Sequence, residues 1–354
     1  MTLAAASDSP LSEEAYREAF GVVLSSRVRL ARNLRGLPFP DRAPPAVRAD
    51  VLRQVREAAA AELPVQEILA GTTPLFRQRL FEEHLISRAL LEERPESAVC
   101  LDESRRRAVM VNEEDHVRLQ AIRAGLALQE AWADANALDD VLEQRLEYAF
   151  SSTLGYLTSC PTNVGTGMRA SALMHLPGLV LMNEIEPIIR GLNKIGLTVR
   201  GRWGEGTAAL GHMFQVSNQI TLGLPEGRMV EDLEQIVKEL AVHEGHARER
   251  FRRERRRAAA DLAARAEGLL TSARLMTTQE ALERLSELRL GIALGLTKRI
   301  GMRTVDRLLL DVQPAHLQSL AERAMDSEER DEARADRLRA ELGRRTSRRT
   351  KRNA

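Results

Sequence analysis

Five arginines lie in strand-like or glycine-rich stretches of this 354-residue sequence. They are Arg27, Arg29, Arg118, Arg169 and Arg200. A single arginine on a strand is usually an exposed, solubilising side chain. Five in such settings indicate a site for a polyanion, because the planar guanidinium pairs with two phosphate oxygens at once. The sequence contains no G-x-x-x-x-G-K-[ST] P-loop, so a triphosphate would have to be held by side chains of this kind.

An acidic stretch follows a predicted strand. Residues 97–111 predict a β-hairpin whose second arm, Ala108–Val111, runs directly into Asn112-Glu113-Glu114-Asp115-His116. Polar residues at the end of a buried strand are well placed for chemistry, because the sheet holds them while the loop exposes them.

Two further segments complete a recognisable set. One reads C-P-T-N-V-G-T-G-M-R-A-S from Cys160 to Ser171, and the other reads V-R-G-x-x-G-E from Val199 to Glu205. Together with S-S-R-V-R-L-A-R-N at 25–33 and N-E-E-D-H-V-R at 112–118, they resemble the phosphagen (guanidino) kinases, such as creatine and arginine kinases. The resemblance spans about residues 20 to 225. It implies an α+β fold, in which a glutamine-synthetase-like catalytic domain has an antiparallel sheet flanked by helices and a helical C-terminal region follows.

The resemblance implies a role for each matched residue. Glu114 and Glu205 would hold the acceptor guanidinium, with Cys160 beside the reacting nitrogen. A guanidinium is protonated at neutral pH and is a poor nucleophile, so two carboxylates that align it while one removes a proton suit the task. A Cys160 thiolate would orient the same group if nearby cations lower the thiol pKa. The implied ATP-binding residues are Ser25, Ser26, Arg27, Val28, Arg29, His84, Arg118, Arg169, Ala170, Ser171, Arg200, Gly201 and Gly204.

ATP and Mg²⁺ are the implied cosubstrate and ion. The phosphates would hold the magnesium, so no metal site made by the protein is expected. The arginines and the ion would together neutralise charge on the phosphoryl group during its transfer.

Two features favour arginine in proteins over a small guanidino compound as the acceptor. Small-molecule kinases of the family carry a helical domain ahead of the S-x-R-V-R segment, whereas 24 residues precede Ser25 here. The chain also resembles bacterial protein-arginine kinases of the McsB type over nearly its whole length. The stretches that carry this likeness include P-F-P at 38–40, G-Y-L-T-S at 155–159, H-L-P at 175–177 and F-Q-V-S-N-Q at 214–219.

A second binding site is implied near the C-terminus. Arg330, Asp331, Arg334 and Ala335 match an R-D-x-x-R-A motif that forms an allosteric phosphoarginine pocket in the family. The two arginines are four residues apart, so on a helix they share one face and could fork a phosphate. The plain alternative is an exposed helix with the i, i+4 ion pairs that are common in charge-rich stretches.

The resemblance also implies partners. They are protein substrates with exposed arginines, a zinc-binding activator protein and a Clp-type protease, and the chain is expected to form a homodimer or a higher homo-oligomer. Two alternatives stay open at this point. The chain could phosphorylate free arginine or another small guanidino compound, or it could be a pseudokinase that only reads phosphoarginine.

Composition narrows the functional classes. Lys and Arg number 52 against 51 Asp and Glu, a balance that argues against a dedicated nucleic-acid binder. No apolar run reaches the length of a membrane span, and the N-terminus lacks a signal-peptide pattern, so a cytoplasmic location is expected. Two short motifs do not support the kinds of site that they resemble. G-x-G-x-x-A at 204–209 lacks the βαβ context of a dinucleotide-binding site. H-E-G-H at 243–246 is one residue short of a zincin motif, which predicts polar residues on an exposed helix face.

The predicted elements divide the chain into an α/β body and a helical region. Residues 45–62 predict a helix and Phe214–Leu222 an alternating strand. An apolar stripe from Leu233 to Leu240 marks a helix after residue 226, and Thr277 with Glu280 fits a capping box. The predicted regions are an N-terminal lead-in at 1–24, the catalytic core at 25–225, the helical region with the phosphoarginine motif at 226–343 and a basic, disordered tail at 344–354.

Overall fold

An eight-stranded antiparallel sheet forms the centre of the structure, a computed structural model that describes residues 21–92, 94–201 and 209–343. Its strands are β1 (Val23–Arg32), β2 (Val65–Ile68), β3 (Ala98–Leu101), β4 (Arg107–Val111), β5 (Val117–Ala124), β8 (Met168–His175), β9 (Leu197–Gly201) and β10 (Met213–Asn218). Their order across the sheet is β2-β3-β4-β5-β1-β8-β10-β9. A separate two-stranded ribbon pairs β6 (Phe150–Ser151) with β7 (Gly155–Tyr156).

The two faces of the sheet differ because its central strands alternate apolar and polar residues. On β1, Val28 and Leu30 are buried in the core, whereas Arg27 and Arg29 occupy the alternate positions. Successive side chains of a strand point to opposite faces, so this alternation gives one apolar and one polar face.

Six helices of this part of the chain flank the sheet, and all of them except α2 cover its apolar face. They are α1 (Pro45–Ala59), α2 (Pro74–Glu82), α3 (Leu128–Glu143), α4 (Pro177–Leu181), α5 (Ile185–Lys194) and α6 (Glu226–Glu254). The main core joins sheet residues such as Val28 to Val55 of α1, Leu138 of α3 and Leu233 of α6. Helix α2 packs instead on the opposite face, over β3 and β4, in a smaller cluster with Val99 and Met110.

The remaining helices form a second core around residues 266–342. They are α7 (Arg256–Ser272), α8 (Thr278–Ala293), α9 (Met302–Asp311), α10 (Pro314–Ala321) and α11 (Ser327–Gly343). This core includes Leu24 and Met213 from the sheet, and α10 packs against α2. The helical region is therefore in contact with the sheet body at two places.

Most of the predicted elements are confirmed. The helix predicted at 45–62 is α1, the hairpin at 97–111 is β3 and β4, and Thr277 caps α8 by accepting a hydrogen bond from the N–H of Glu280. The strand predicted to reach Leu222 ends at Asn218, whose side chain donates to the carbonyls of Met168 and Ile220. That amide takes over backbone pairing at the point where the chain leaves the sheet.

The H-E-G-H segment departs in one respect from its prediction as an exposed polar face. His243 and His246 are exposed, but Glu244 is buried. Its carboxylate accepts hydrogen bonds from the N–H groups of Gly178 and Leu179. Buried carboxylates need such partners, because an unpaired buried charge is costly.

The predicted region boundaries remain predictions. Helix α6 begins at Glu226, where the sequence changes to a helical pattern, but it packs into the main core with the sheet. The lead-in up to residue 20 and the tail at 344–354 lie outside the described residues. Among the helices that the structure describes, none is both long and apolar enough to cross a membrane.

Candidate active site

The register of the sheet brings the five arginines of the sequence analysis to one face. Arg29 on β1 is directly opposite Arg169 on β8. Arg118 on β5 is opposite Ala31, two residues farther along β1. Arg200 on the edge strand β9 is opposite Gln215, which is paired in turn with Leu173 of β8. Directly paired residues of antiparallel strands share a face, so these residues define what we call the arginine face.

Neighbouring positive charges and burial lower the pKa of three of these guanidinium groups. The charge of Arg27, followed by burial, holds the pKa of Arg29 well below its ordinary value, with Arg169 adding to the effect. Burial and the charge of Arg169 lower the pKa of Arg27 to about 10. Burial, Arg200 and Arg118 lower that of Arg169. Neighbouring like charges are unfavourable unless an anion lies between them, so the face is suited to a polyanion.

Unsatisfied donors support the same conclusion. The Nε atoms of Arg29 and Arg169 are buried and have no hydrogen-bond partner among the described residues. Arg169 Nη2 donates to Ser217 Oγ at 3.1 Å, which fixes the guanidinium on the face. Buried donors normally have partners, and phosphate oxygens would supply them here. The residues present therefore fit the triphosphate of ATP.

The other predicted ATP-binding residues divide between the two faces. Ser25 and Ser171 share the face of the arginines, whereas Ser26, Val28 and Ala170 occupy the alternate positions. Ser26 Oγ donates to the carbonyl of Gly125 and accepts from the N–H of Ala127. The side chains of these three residues thus lie in the core, and any contact with a nucleotide falls to their backbone. Gly201 ends β9, and Gly204 lies outside the described residues.

His84 lies at the border of the arginine face. It follows α2 with a φ of 60°, a left-handed conformation that is uncommon for residues other than glycine. Its carbonyl accepts a hydrogen bond of 2.8 Å from Gln120 Nε2, and Gln120 is paired with Arg29. The sheet therefore holds the backbone of His84 beside the predicted nucleotide site.

Glu114 is on the loop between β4 and β5, next to Arg118. Arg118 Nη2 is 3.1 Å from Glu114 Oε2, and Arg118 Nη1 is 2.6 Å from Glu113 Oε2. Burial raises the pKa of Glu114; Asp115 and Glu113 act in the same direction, and Arg118 opposes them. A carboxylate whose pKa is raised toward neutrality is a better general base. The second predicted catalytic carboxylate, Glu205, lies outside the described residues.

Asp115 connects the acidic loop to the cysteine loop, a role that the sequence analysis missed. The fully buried Asp115 accepts hydrogen bonds through Oδ1 from Asn33 Nδ2 at 2.8 Å and from the N–H of Ser159 at 2.7 Å. Asn33 Oδ1 accepts in turn from the N–H of His116. Both polar residues belong to the recognised segments, but their partners are more than 40 residues away in sequence and could not be identified from spacing.

Cys160 is half-buried on the loop that Asp115 anchors. Its Sγ is 3.0 Å from Thr162 Oγ1, and the short helix 161–163 follows it. The glycines after it allow close packing: a Cβ on Gly165 would lie 2.2 Å from the carbonyl oxygen of Thr221, and one on Gly167 would lie 2.6 Å from that of Ala31. Both glycines also have a positive φ, so this segment requires them for two physical reasons.

The predicted phosphoarginine motif lies on α11. Arg334 is buried and donates from Nε to the carbonyl of Val312 at 2.8 Å and from Nη1 to the carbonyl of Met276 at 2.7 Å. Its Nη1 is also 2.6 Å from Asp331 Oδ1. Arg330 is half-buried and donates to the carbonyl of Met325, and Ala335 packs in the second core. The four residues share one end of the helix.

No cluster of His, Cys, Asp and Glu side chains suited to a metal ion occurs in the part of the chain that the structure describes. The site thus combines a face for a polyanion with a nearby carboxylate of raised pKa and a thiol. This combination can hold a nucleoside triphosphate and take a proton from an acceptor nitrogen.

Comparison with known proteins agrees with this geometry. Residues 51–247 match the family model for the C-terminal catalytic domain of the ATP:guanido phosphotransferases, and residues 256–353 match that for the C-terminal domain of the protein-arginine kinase McsB. A protein-arginine kinase of Symbiobacterium thermophilum is 47% identical over 91% of this chain and 93% of its own length. One of Moorella thermoacetica is 46% identical over 89% and 92%, respectively.

Solved structures extend the likeness to the fold. The crystal structure of a lombricine kinase has a TM-score of 0.56 and 26% identity, covering 66% of this chain and 67% of that one. The duplicated taurocyamine kinase of Schistosoma mansoni has a TM-score of 0.59 and 24% identity, covering 75% and 39%. The predicted phosphagen-kinase fold is thereby confirmed. Sequence and fold together show that this chain belongs to the ATP:guanido phosphotransferase family and, within it, to the protein-arginine kinases.

Proposed function

We propose that this chain is an ATP-dependent kinase that transfers the γ-phosphoryl group to the guanidinium of arginine side chains in proteins. The observation that carries the proposal is the arginine face, where Arg27, Arg29 and Arg169 repel one another beside the loop of Glu114. An anion at this face relieves the repulsion, and the loop provides the carboxylate that the acceptor needs. Membership of the protein-arginine kinases supports the choice of acceptor.

The arginine face would bind the phosphates of ATP and stabilise charge on the phosphoryl group during transfer. Arg29 and Arg169 have free Nε donors for phosphate oxygens, and positioned cations of this kind supply most of the catalysis in phosphoryl transfer. Magnesium carried by ATP would add further neutralising charge at the phosphates.

Glu114 would bind the acceptor guanidinium and accept a proton from its nitrogen. That nitrogen forms a bond to the γ-phosphorus while the bond from phosphorus to the bridging β-oxygen breaks, and ADP leaves. Glu205 would hold the other side of the guanidinium, and Cys160 would lie beside it. The ion pair of Glu114 with Arg118 at 3.1 Å can open when phosphate and guanidinium enter, because each partner then gains an oppositely charged ligand.

The test is mass spectrometry under neutral conditions after the purified chain has been incubated with Mg-ATP and an unfolded, arginine-containing protein such as casein. We expect acid-labile adducts of one phosphoryl group on arginine side chains. Glu114→Gln should lose transfer by about 10²- to 10⁴-fold, as expected for loss of a general base, while still binding ATP. Phosphate on free arginine alone would favour the small-molecule alternative, and full activity of Glu114→Gln would overturn the site assignment.

We further propose that phosphoarginine, bound at Arg330, Asp331, Arg334 and Ala335, stimulates this activity. A series of contacts leads from the motif toward the predicted nucleotide site and supports this regulation. Arg334 binds the carbonyl of Val312, which ends α9 two residues before α10. Glu82 accepts hydrogen bonds from the first backbone N–H groups of α10, at Ala315 and His316. A shift of α10 would therefore move Glu82, two residues from His84.

The wider cellular role is proposed from family resemblance. Phosphorylation would mark proteins for a Clp-type protease in the cytoplasm, with a zinc-binding activator protein as partner and a homodimer or higher homo-oligomer as the working state. Pull-down of protease components with the arginine-phosphorylated substrate, but not with the unmodified substrate, would support this role.

A further inference from the structure

A polar cleft lies directly beside the acidic loop. It has a volume of about 240 Å³, and its lining includes Asp41, Arg48, Arg94, Glu96, Ser97 and Asn112. Asn112 is two residues before Glu114, and Arg94 Nη1 donates to the carbonyl of Glu113 at 3.2 Å. The mechanism proposed above uses neither residue.

Asn112, which lines the cleft, carries a buried acceptor that lacks a donor among the described residues. The side chain of Asn112 is 1% exposed, and its Nδ2 donates to the carbonyls of Arg48 at 2.8 Å and Glu96 at 2.7 Å. These two bonds use both amide hydrogens and fix the orientation of the side chain. Its Oδ1 has no hydrogen-bond partner among the described residues. Buried polar atoms normally have partners, so this oxygen calls for a donor from a ligand.

The charged side chains that line the cleft are paired with one another, which favours an uncharged ligand. Arg48 pairs with Glu96 at 3.0 Å, and Arg94 is 3.7 Å from Asp41. The first pair is tight, but the second is long and its members are 40% and 65% exposed, so Arg94 can turn to another acceptor at little cost. A neutral ligand with both an N–H donor and a carbonyl acceptor matches Asn112 and Arg94.

One wall of the cleft includes Pro40 and Asp41, and the segment that leads to them is hydrogen-bonded to the acidic loop. His116 Nε2 is 3.0 Å from the carbonyl oxygen of Pro38, and His116 Nδ1 accepts from the N–H of Leu34. Since Nδ1 accepts, Nε2 carries the proton and donates to Pro38. The other wall is tied to the same loop, because Arg94 donates to the carbonyl of Glu113 and the carbonyl of Glu96 accepts from Asn112 Nδ2.

We propose that this cleft binds the main chain of the acceptor polypeptide next to its target arginine, with Asn112 Oδ1 accepting a peptide N–H and Arg94 donating to a peptide carbonyl. The inference rests on the proposed function and deepens it, because it names the groups that would recognise a polypeptide. Free arginine carries a charged ammonium and carboxylate in place of flanking peptide groups, and it cannot form the same pair of bonds.

The test is an N-methyl scan of a capped peptide that contains one arginine. Each peptide in the series has one flanking backbone N–H replaced by N–CH₃, and kcat/KM is measured from ADP release. We expect one N-methyl position to lower kcat/KM about tenfold with the wild-type chain, the size of one lost hydrogen bond. With the Asn112→Ala variant, kcat/KM for the unmethylated peptide should fall to that same level. N-methylation at the sensitive position should then cause no further decrease.

Two comparisons keep the test decisive. Asn136→Ala, on α3, should behave as wild type, because Asn136 bonds only to Asp140 of its own helix among the described residues. Arg94→Met retains a long stem and should weaken peptides through KM, with kcat near that of wild type. If Asn112→Ala does not fold, the wild-type scan and Arg94→Met still decide. Equal rates for every N-methyl peptide would overturn this inference and leave the proposed function intact, whereas no transfer to any peptide would overturn the proposed function itself.

Discussion

Two groups of arginines in this protein have opposite surroundings. Arg27, Arg29 and Arg169 share one face of the sheet, where Arg27 and Arg169 lower the pKa of Arg29 and Arg169 lowers that of Arg27. Arg248 and Arg289 lie between the sheet and the C-terminal helices, are at least nine-tenths buried, and are paired with carboxylates. Among the described residues, the half-buried first group forms no ion pair with a carboxylate, whereas each arginine of the buried second group does.

The paired group holds two parts of the fold together. Arg289 Nε is 2.7 Å from Asp306 Oδ1, and its Nη1 donates to the carbonyl of Gly21 and to His175 Nδ1. Arg248 donates to the same Gly21 carbonyl and to the carbonyl of His175. The arginines proposed to bind phosphate and the arginines that hold the fold therefore differ in the charge around them as well as in their exposure.

The largest expected effect is on stability and comes from the paired group. Arg289→Met removes the guanidinium that pairs with the buried carboxylate of Asp306, so the free energy of unfolding should fall by about 3–5 kcal/mol. Arg284→Met on the same helix removes a partly exposed pair with Glu287 and should cost about 1 kcal/mol or less. Urea unfolding of the two variants beside wild type measures both. Equal losses would remove the distinction between the two groups of arginines.

A variant of the arginine face should show the opposite pattern, with weaker ATP binding and no loss of stability. Arg169→Ala removes a donor to the phosphates, so the Kd for ATP should rise by at least about tenfold, the scale of a hydrogen bond to a charged group. The free energy of unfolding should stay the same or rise, because repulsion with its neighbours is relieved. Isothermal titration calorimetry with ATP measures the Kd, and urea unfolding measures the free energy of unfolding. A variant that loses stability but keeps its ATP affinity would contradict the assignment.

The sequence predicted the arginines of the arginine face better than the structural ones. Five arginines in strand-like or glycine-rich stretches predicted a polyanion site, and the four matched segments predicted the fold, which is confirmed. Arg289 stands in an ordinary helical pattern, and its partners Gly21 and His175 are 268 and 114 residues away. The same limit applies to Asp115, whose partner Asn33 is 82 residues away. Local patterns show which face a residue occupies but not which distant group it meets.

Arg334 combines a predicted ligand-binding role with the surroundings of a structural arginine, so it tests the distinction between the two groups. It was predicted to bind phosphoarginine, yet it resembles the structural group, because it is buried and donates to the carbonyls of Val312 and Met276. Arg334→Ala leaves these acceptors without a donor and should lower the free energy of unfolding by about 1–3 kcal/mol. Arg330→Ala removes a half-buried side chain and should cost less.

Both variants should reduce stimulation of the kinase by phosphoarginine. Titration of phosphoarginine against the transfer rate, alongside thermal unfolding, separates the two effects. If Arg334→Ala keeps the full response, the motif residue is structural and the proposed pocket is wrong. If it loses the response and keeps its stability, the carbonyl contacts are expendable and Arg334 belongs with the ligand-binding group.

The smallest expected effect concerns the contact between α10 and α2, where the charge depends on pH. His316 Nδ1 is 2.8 Å from Glu82 Oε2, and His316 Nε2 is 3.5 Å from Glu83 Oε1. Burial opposes protonation, but the two carboxylates outweigh it and raise the pKa of His316 above its ordinary value. Glu83 also pairs with Arg105 and Arg79, and His316 and these two arginines outweigh burial and lower the pKa of its carboxyl.

A raised pKa in the folded state fixes the direction of the pH effect. The ion pair contributes fully below the ordinary histidine value of about 6.5 and is lost as the pH rises through the higher folded-state value. Wild type should therefore lose more stability than His316→Gln as the pH increases above 6.5, because the amide cannot titrate. Unfolding measured across this range for both chains tests the prediction, and parallel curves would show that the pair contributes no pH-dependent stability. Phosphoarginine stimulation that weakens over the same range in wild type alone would connect this contact to the proposed allosteric route.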